Sequence, residues 1–223
     1  MTNSQAIDKD GNSALHYACM RGHLHIVELL TMDYSLRSDL PNRKKLMPLH
    51  YALRGGYIEI VRFFVHRAPS RIALTVLDPG FGATSLHWAT LSNNISLLEF
   101  ALANGIKVDE VARAEKSTAL LWACYGSSLE TVKYLVENAN ADTKLKNQFG
   151  RTALHYAAAS GSVEKMTYLT EIVKLKITEK DCNGKTPFDV AVGACAVFLD
   201  ERKNKGFAVQ GIADKFQKEQ TKE

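Results

Sequence analysis

The sequence predicts an all-α fold, a solenoid of about six helix-turn-helix repeats with β-hairpin or loop fingers between them. The main observation is a six-residue pattern of small residue or Thr, any residue, Leu, His, aromatic and Ala, with its Leu at positions 15, 49, 86, 120 and 154 and a Phe at 188. Successive copies are 34 residues apart, except for one interval of 37. A second apolar segment with helical periodicity follows each copy, so one repeat holds two helices.

In repeat 1 the first helix is predicted from Leu15, Ala18 and Cys19, which share one helix face at positions i, i+3 and i+4. Gly22 follows and is predicted to end this helix, since Gly accepts the left-handed conformation of a tight turn. The second helix is predicted to turn inward the side chains of Leu24, Val27, Leu29 and Leu30.

The later repeats begin in the same way. A hydroxyl residue precedes the first helix at a capping position in Ser13, Thr84, Thr118, Thr152 and Thr186. Pro48 and Pro187 stand at the start of the first helix, where the missing N–H of proline costs nothing. These signals indicate where each helix pair begins.

The predicted domain covers residues 1–200, and a charged C-terminal segment covers 201–223. The repeats span about 8–41, 42–78, 79–112, 113–146, 147–180 and 181–200, and the last is a C-terminal cap whose first helix continues to Leu199. An apolar stripe over 207–218 predicts one extra amphipathic helix.

The pattern resembles the ankyrin repeat family, whose signature is Thr-Pro-Leu-His-x-Ala with a period of about 33 residues. The resemblance covers about residues 8–200, and the chain is similar in length to the short free-standing members of that family. Repeat 4 departs from the pattern with Leu121 in place of His, repeat 6 with Phe188-Asp189, and repeat 3 with Asn93-Asn94 in place of Gly-His.

Four histidines share one repeat position: His16, His50, His87 and His155. Stacked helices lie about 8–10 Å apart, so side chains placed one per repeat cannot converge on one zinc ion with bonds of about 2 Å. The resemblance implies instead that each bonds the preceding Ser or Thr hydroxyl and the backbone of the next repeat. We therefore predict structural histidines, with no metal and no cofactor.

No catalytic motif is complete, so the chain is predicted not to be an enzyme. Gly80-Phe81-Gly82 lacks the third glycine of a dinucleotide loop, and Gly184-Lys185-Thr186 lacks the first glycine of a phosphate-binding loop. The four cysteines are scattered without a Cys-x-x-Cys pair, which favours a reducing compartment and a cytoplasmic location, with the nucleus also open.

Composition limits the partners. A net charge of +4 is below that of a dedicated nucleic-acid binder, so nucleic acid is not the expected partner. No apolar run approaches the ~20 residues of a membrane helix, so membrane insertion is not expected. One aromatic per repeat follows the His position and forms a ladder of Tyr17, Tyr51, Trp88, Trp122 and Tyr156. We interpret the ladder as inter-repeat packing, and a stacking platform for a small ligand or nucleic acid at the two tryptophans is the alternative.

The resemblance implies that partner contacts come from the fingers and from the end of each first helix. The candidate protein-binding residues are Arg43, Phe81, Phe149, Arg151 and Lys185 in the fingers and Met20, Arg21, Arg54, Leu91 and Tyr125 at the helix ends. Basic residues cluster in the first two repeats and indicate an acidic or phosphorylated partner segment, with a solvated charged face as the alternative.

We predict a non-catalytic protein–protein interaction module or scaffold that is monomeric alone and binds a partner protein on the concave face of the solenoid. The alternatives are the regulatory ankyrin domain of a larger enzyme or channel, and a binder of small ligands or nucleic acid. Phe81 and Phe149 have a structural alternative too, because each could pack on a neighbouring finger.

Overall fold

The computed structural model describes residues 6–67, 74 and 77–200. The C-terminal segment 201–223, with the helix predicted over 207–218, lies outside the described residues. The described residues confirm an all-α solenoid built from pairs of short helices. The helices are α1 (Ala14–Arg21), α2 (Leu24–Glu28), α3 (Pro48–Gly55), α4 (Ile58–His66), α5 (Ser85–Thr90), α6 (Ile95–Ala103), α7 (Ala119–Gly126), α8 (Leu129–Lys133), α9 (Ala153–Ala159) and α10 (Val163–Thr167).

Wider π-helical turns extend three of the second helices, over Leu29–Asp33, Tyr134–Asn138 and Tyr168–Ile172. The first helices stack in sequence order: α1 packs on α3, α3 on α5, α5 on α7 and α7 on α9. Their buried leucines, such as Leu15, Leu86 and Leu154, form the core between layers.

The predicted helix starts of repeats 1 to 5 are present, whereas the start predicted at Thr186 and Pro187 is not. Ser13, Thr84, Thr118 and Thr152 have extended backbone angles at the caps, and Pro48 is the first residue of α3. Gly22 has φ +75° and donates its N–H to the carbonyls of Ala18 and Cys19, which closes α1 as predicted.

Two helix predictions are wrong in part. The first helix of repeat 6 does not continue to Leu199: residues 187–190, with Pro187, form a turn, and residues 194–200 are helical. Gly193 with φ +55° separates the two segments. The second wrong prediction is that Leu29 faces inward: Leu29 is exposed, and Thr31 is buried instead. The Thr31 hydroxyl donates to the carbonyl of Val27 at 2.7 Å.

The fingers are turns rather than extended hairpins. In the described part of the chain, β-structure is limited to isolated antiparallel bridges between Ile7 and Ser13 and between Val111 and Thr118. The fingers are held by side chains instead, and these side chains also position the candidate site.

No other repeat among the described residues packs on the end face of repeat 1. Ile26 is 45% exposed, whereas Ile60, at the same place in repeat 2, is 1% exposed. Each later repeat buries this position against the repeat before it, as Leu97, Thr131 and Lys165 show. Repeat 1 therefore exposes an apolar side chain, Ile26, at a position that the later repeats bury.

Candidate functional site

An Asp or Asn begins most fingers and holds the loop closed. In the finger of repeat 2, Asn42 Oδ1 accepts the N–H groups of Lys44 at 2.9 Å and Leu46 at 3.0 Å. Asp78, Asn147 and Asp181 accept backbone N–H groups in the same manner. A side chain that accepts local N–H groups fixes a turn without a strand.

The same residues bind the polar tips of the aromatic ladder. The Tyr17 hydroxyl donates to Asp8 Oδ2 at 2.6 Å, and this bond holds the pKa of Asp8 well below its ordinary value. Asn42 and Asn147 donate to the hydroxyls of Tyr51 at 3.0 Å and Tyr156 at 2.9 Å. These bonds join finger to helix and give the ladder a structural role. The repeat pattern alone did not indicate this function. The residues concerned recur seven or eight positions before the Leu or Phe of the pattern in every repeat but the fourth: Asp8, Asn42, Asp78, Asn147 and Asp181.

Three of the four repeated histidines join the helix to the next finger, as the family resemblance implied, and His50 differs because Met47 stands where the others have Ser or Thr. In His16, His87 and His155, Nε2 donates to the carbonyls of Leu46, Ser117 and Lys185 at 3.1, 2.9 and 3.0 Å. Because Nε2 faces a carbonyl it carries the proton, so Nδ1 accepts from the hydroxyls of Ser13, Thr84 and Thr152 at 2.8–2.9 Å. His50 Nδ1 accepts the N–H of Met47 at 2.9 Å. Burial lowers the pKa of His50 and of His87 to about 4, which keeps both rings neutral.

Repeat 4 lacks both the Asp or Asn that begins the finger and the histidine that bonds the next finger. The residue that begins its finger is Ala112, whose N–H donates to Ser117 O as the other finger-starting residues do, and alanine has no side chain to accept. Leu121 replaces the histidine and is buried. Trp122 therefore stands in a repeat without the Asp or Asn that its neighbours Trp88 and Tyr156 contact.

A cleft opens beside this irregular repeat. This cleft has a volume of about 670 Å³ and is lined by Arg54, Phe81, Leu91, Ala112, Ala114, Glu115, Trp122, Tyr125, Gly126, Arg151 and Tyr156. The aromatic rings meet edge to face: Phe81 lies 6.3 Å from Trp122, and Tyr125 lies 6.3 Å from Tyr156. The repeat with the most irregular pattern thus supplies the centre of the cleft.

Half of the candidate binding residues converge in this cleft, namely Arg54, Phe81, Leu91, Tyr125 and Arg151. Tyr125 is 60% exposed and Phe81 is 49% exposed. Phe81 also contacts Trp88, so it packs on its surroundings while it presents half of its surface to solvent. The remaining five candidates are not in the cleft lining. They are Met20, Arg21, Arg43, Phe149 and Lys185, and all but the half-buried Met20 are exposed.

Charge in the cleft is mixed but mainly positive. Arg54 and Arg151 stand in its lining with one carboxylate, Glu115. Arg151 Nε lies 3.4 Å from Asp181 Oδ2, so part of its charge is balanced by a carboxylate outside the cleft. Arg54 has no ion pair among the described residues.

The buried thiols are poor nucleophiles. Burial raises the pKa of Cys124 to about 12, and burial raises the pKa of Cys19 further. Such thiols stay protonated at neutral pH.

Within residues 6–67, 74 and 77–200, no three His, Cys, Asp or Glu side chains lie close enough together to hold a metal ion. In the same residues, no helix is long and apolar enough to span a bilayer.

Comparison with known proteins agrees with this architecture. A sequence profile of ankyrin repeats matches three segments of the chain, residues 1–75, 71–147 and 130–202. Among solved structures, the human ASB11 ankyrin repeat domain is similar, with 25% sequence identity and a TM-score of 0.69. That similarity covers 89% of this chain and 86% of the ASB11 chain. On its sequence, its stacked helix pairs and this profile match, the chain belongs to the ankyrin repeat family.

Proposed function

We propose that the cleft is the main contact site of a protein–protein interaction module, and that it holds a partner segment with apolar and acidic side chains on the concave face. Ankyrin repeats are in general protein-binding modules, and the fold is typically non-catalytic. The observation that carries the proposal is the convergence of exposed aromatics and arginine in one cleft.

The chemistry of the cleft favours one kind of segment. Phe81, Leu91, Trp122 and Tyr125 offer apolar surface, and aromatic and arginine residues are the usual centres of binding energy. Arg54, together with Arg21 and Arg43 in the first two repeats, places exposed positive charge towards one end. An acidic side chain beside an apolar anchor would satisfy both features.

Affinity capture from the lysate of the source cell tests the site. The wild-type chain is compared with a variant carrying Phe81→Ala, Leu91→Ala and Tyr125→Ala. The matched control carries Met32→Ala, Tyr34→Ala and Ile172→Ala, three exposed apolar residues outside the cleft. We expect a stoichiometric partner that the wild type and the control retain and the cleft variant loses. A partner retained equally by all three chains would contradict the proposal.

The acidic character of the segment has its own test. Charge reversal by Arg21→Glu and Arg54→Glu should weaken binding of the captured partner and reduce its dependence on salt. The control reverses two exposed lysines away from the cleft, Lys107→Glu and Lys180→Glu. Equal weakening by the two pairs would favour a solvated charged face without a specific acidic contact.

We further propose that the chain is monomeric alone and acts in the cytoplasm, with the nucleus as a second site. The free cysteines Cys19, Cys124 and Cys195 are buried among apolar neighbours, as expected for a protein kept reduced. Light scattering of the purified chain measures its mass, and a stable dimer would contradict the monomer proposal. Fractionation of source cells measures its location, and recovery only from an oxidising compartment would contradict the cytoplasmic proposal.

A further inference from the structure

A second cavity lies outside the cleft and has a different character. Its volume is about 350 Å³, and four lysines line it: Lys144, Lys146, Lys174 and Lys176. Glu179 is the one acidic residue in its lining. None of its lining residues belongs to the cleft, so what it binds is independent of the proposed function.

Hydrogen-bonded loops fix the backbone of these lysines. The Lys144 N–H donates to Asp142 Oδ1 at 2.8 Å, and the Asp142 N–H donates to Asp109 Oδ1 at 3.0 Å. On the other wall, the Leu175 N–H between Lys174 and Lys176 donates to Leu169 O at 2.9 Å. The backbone is therefore held at Lys144 and at Leu175, and all four lysines line the same cavity.

Charge is concentrated in this lysine pocket. Lys146 Nζ lies 2.8 Å from Glu179 Oε2, and this bond, with Lys176 nearby, lowers the pKa of Glu179. Four lysines and one ionised glutamate give the pocket lining a charge of +3, and the carboxylates of Asp142 and Asp109 lie behind Lys144, outside the lining. Lys144, Lys174 and Lys176 form no ion pair with any residue that the structure describes. Like charges held near each other repel, and an anion between them relieves that repulsion.

We propose that the lysine pocket binds a small molecule that carries several phosphate groups. Its volume falls within the range of about 300–1,000 Å³ that is typical of small-ligand sites. Lysine is a general phosphate binder, and a polyphosphate concentrates more negative charge in this volume than a peptide carboxylate does. Leu175, which is half-buried, adds apolar surface against which a ring can lie.

Calorimetric titration with inositol hexakisphosphate tests the site, with inorganic phosphate as the weak reference ligand. The pocket variant carries Lys144→Gln, Lys174→Gln and Lys176→Gln, and keeps Lys146 because it is paired with Glu179. The control variant, Lys9→Gln, Lys107→Gln and Lys116→Gln, removes the same charge from exposed positions outside the pocket. We expect one-to-one binding by the wild type, a loss of about tenfold or more in the pocket variant, and a change below about threefold in the control.

Equal losses in the two variants would show that general charge attraction is responsible and would overturn the proposal. Absence of saturable binding to the wild type would overturn it as well. Circular dichroism and thermal melting of each variant verify that the fold is retained, and the single substitution Lys176→Gln serves if the triple variant is unfolded.

The phosphate groups could belong to a soluble molecule or to a lipid headgroup, and co-sedimentation with vesicles separates the two sources. The vesicles are phosphatidylcholine with and without a phosphoinositide bisphosphate. Binding to phosphoinositide vesicles that the pocket variant loses, together with binding of the soluble probe, supports a lipid source. Binding of the soluble probe alone supports a soluble source.

Discussion

Trp88 and Trp122 meet edge to face, with ring centroids 5.8 Å apart and planes inclined by 78°, and Trp122 lines the cleft while Trp88 is buried behind it. The two rings occupy the same position in successive repeats, but only Trp88 has an Asp at the start of its finger, with Nε1 at 3.5 Å from Asp78 Oδ2. Ala112 stands at the corresponding place before Trp122. Trp122 is thus positioned by aromatic contacts with Phe81, His87 and Trp88.

Trp122→Ala should weaken binding of the captured partner by about tenfold or more, because the ring forms the apolar centre of the cleft. Truncation should also lower the free energy of unfolding by about 2 kcal/mol, less than for a fully buried aromatic. Titration of the partner and urea unfolding measure the two effects. Trp122→Phe should recover most of both. Unchanged affinity in Trp122→Ala would exclude the centre of the cleft from the contact.

Ile26→Ala and Ile60→Ala remove the same atoms from the same repeat position, one exposed and one buried. We expect Ile60→Ala to lower the free energy of unfolding by about 2–5 kcal/mol, and Ile26→Ala to lower it by less than about 1 kcal/mol. Urea unfolding of the two variants measures the difference. Equal costs would mean that the end face of repeat 1 is covered in solution.

Asn42→Ala should destabilise the chain by about 2–4 kcal/mol, since it removes two loop hydrogen bonds and the contacts with Tyr51 and Asn12. Asn42 Nδ2 donates to Asn12 Oδ1 at 2.7 Å and so also joins neighbouring fingers. Asn42→Asp keeps the acceptor atoms and should recover part of the loss. Thermal melting compares the variants, and a melting point of Asn42→Ala equal to that of the wild type would rule out this role.

Acid should weaken the fold through the buried histidines. Their pKa values are near 6.5 in the unfolded chain and about 4 in the folded chain for His50 and His87, so below pH 6.5 the unfolded state binds more protons. Stability is then fully present above about pH 6.5 and falls as the pH drops towards 4, by up to about 3 kcal/mol for each ring.

Urea unfolding at several pH values between 4 and 7 measures how the free energy of unfolding falls in acid. His87→Leu, which copies Leu121 of repeat 4, should be less stable at neutral pH and should show a shallower loss of stability in acid. A slope that His87→Leu leaves unchanged would assign the acid sensitivity to other groups.

The sequence alone was sufficient for the repeat, the fold class and the helix caps, because each depends on local signals at a constant spacing. The period of 34 residues predicted the stacked helix pairs, and Ser13, Thr84, Thr118 and Thr152 marked the helix starts. The candidate binding positions were also available, since they follow from repeat position.

The tertiary structure determined which of these positions lie close to one another. Burial of Lys165, with Nζ 3.0 Å from Ser127 O, depends on the repeat packed before it, and no local pattern reports this contact. The convergence of Arg54 and Arg151, 97 positions apart, depends on the way successive repeats stack. Local periodicity determines each helix pair, whereas the cleft and the lysine pocket arise from long-range packing, in which residues from different repeats meet.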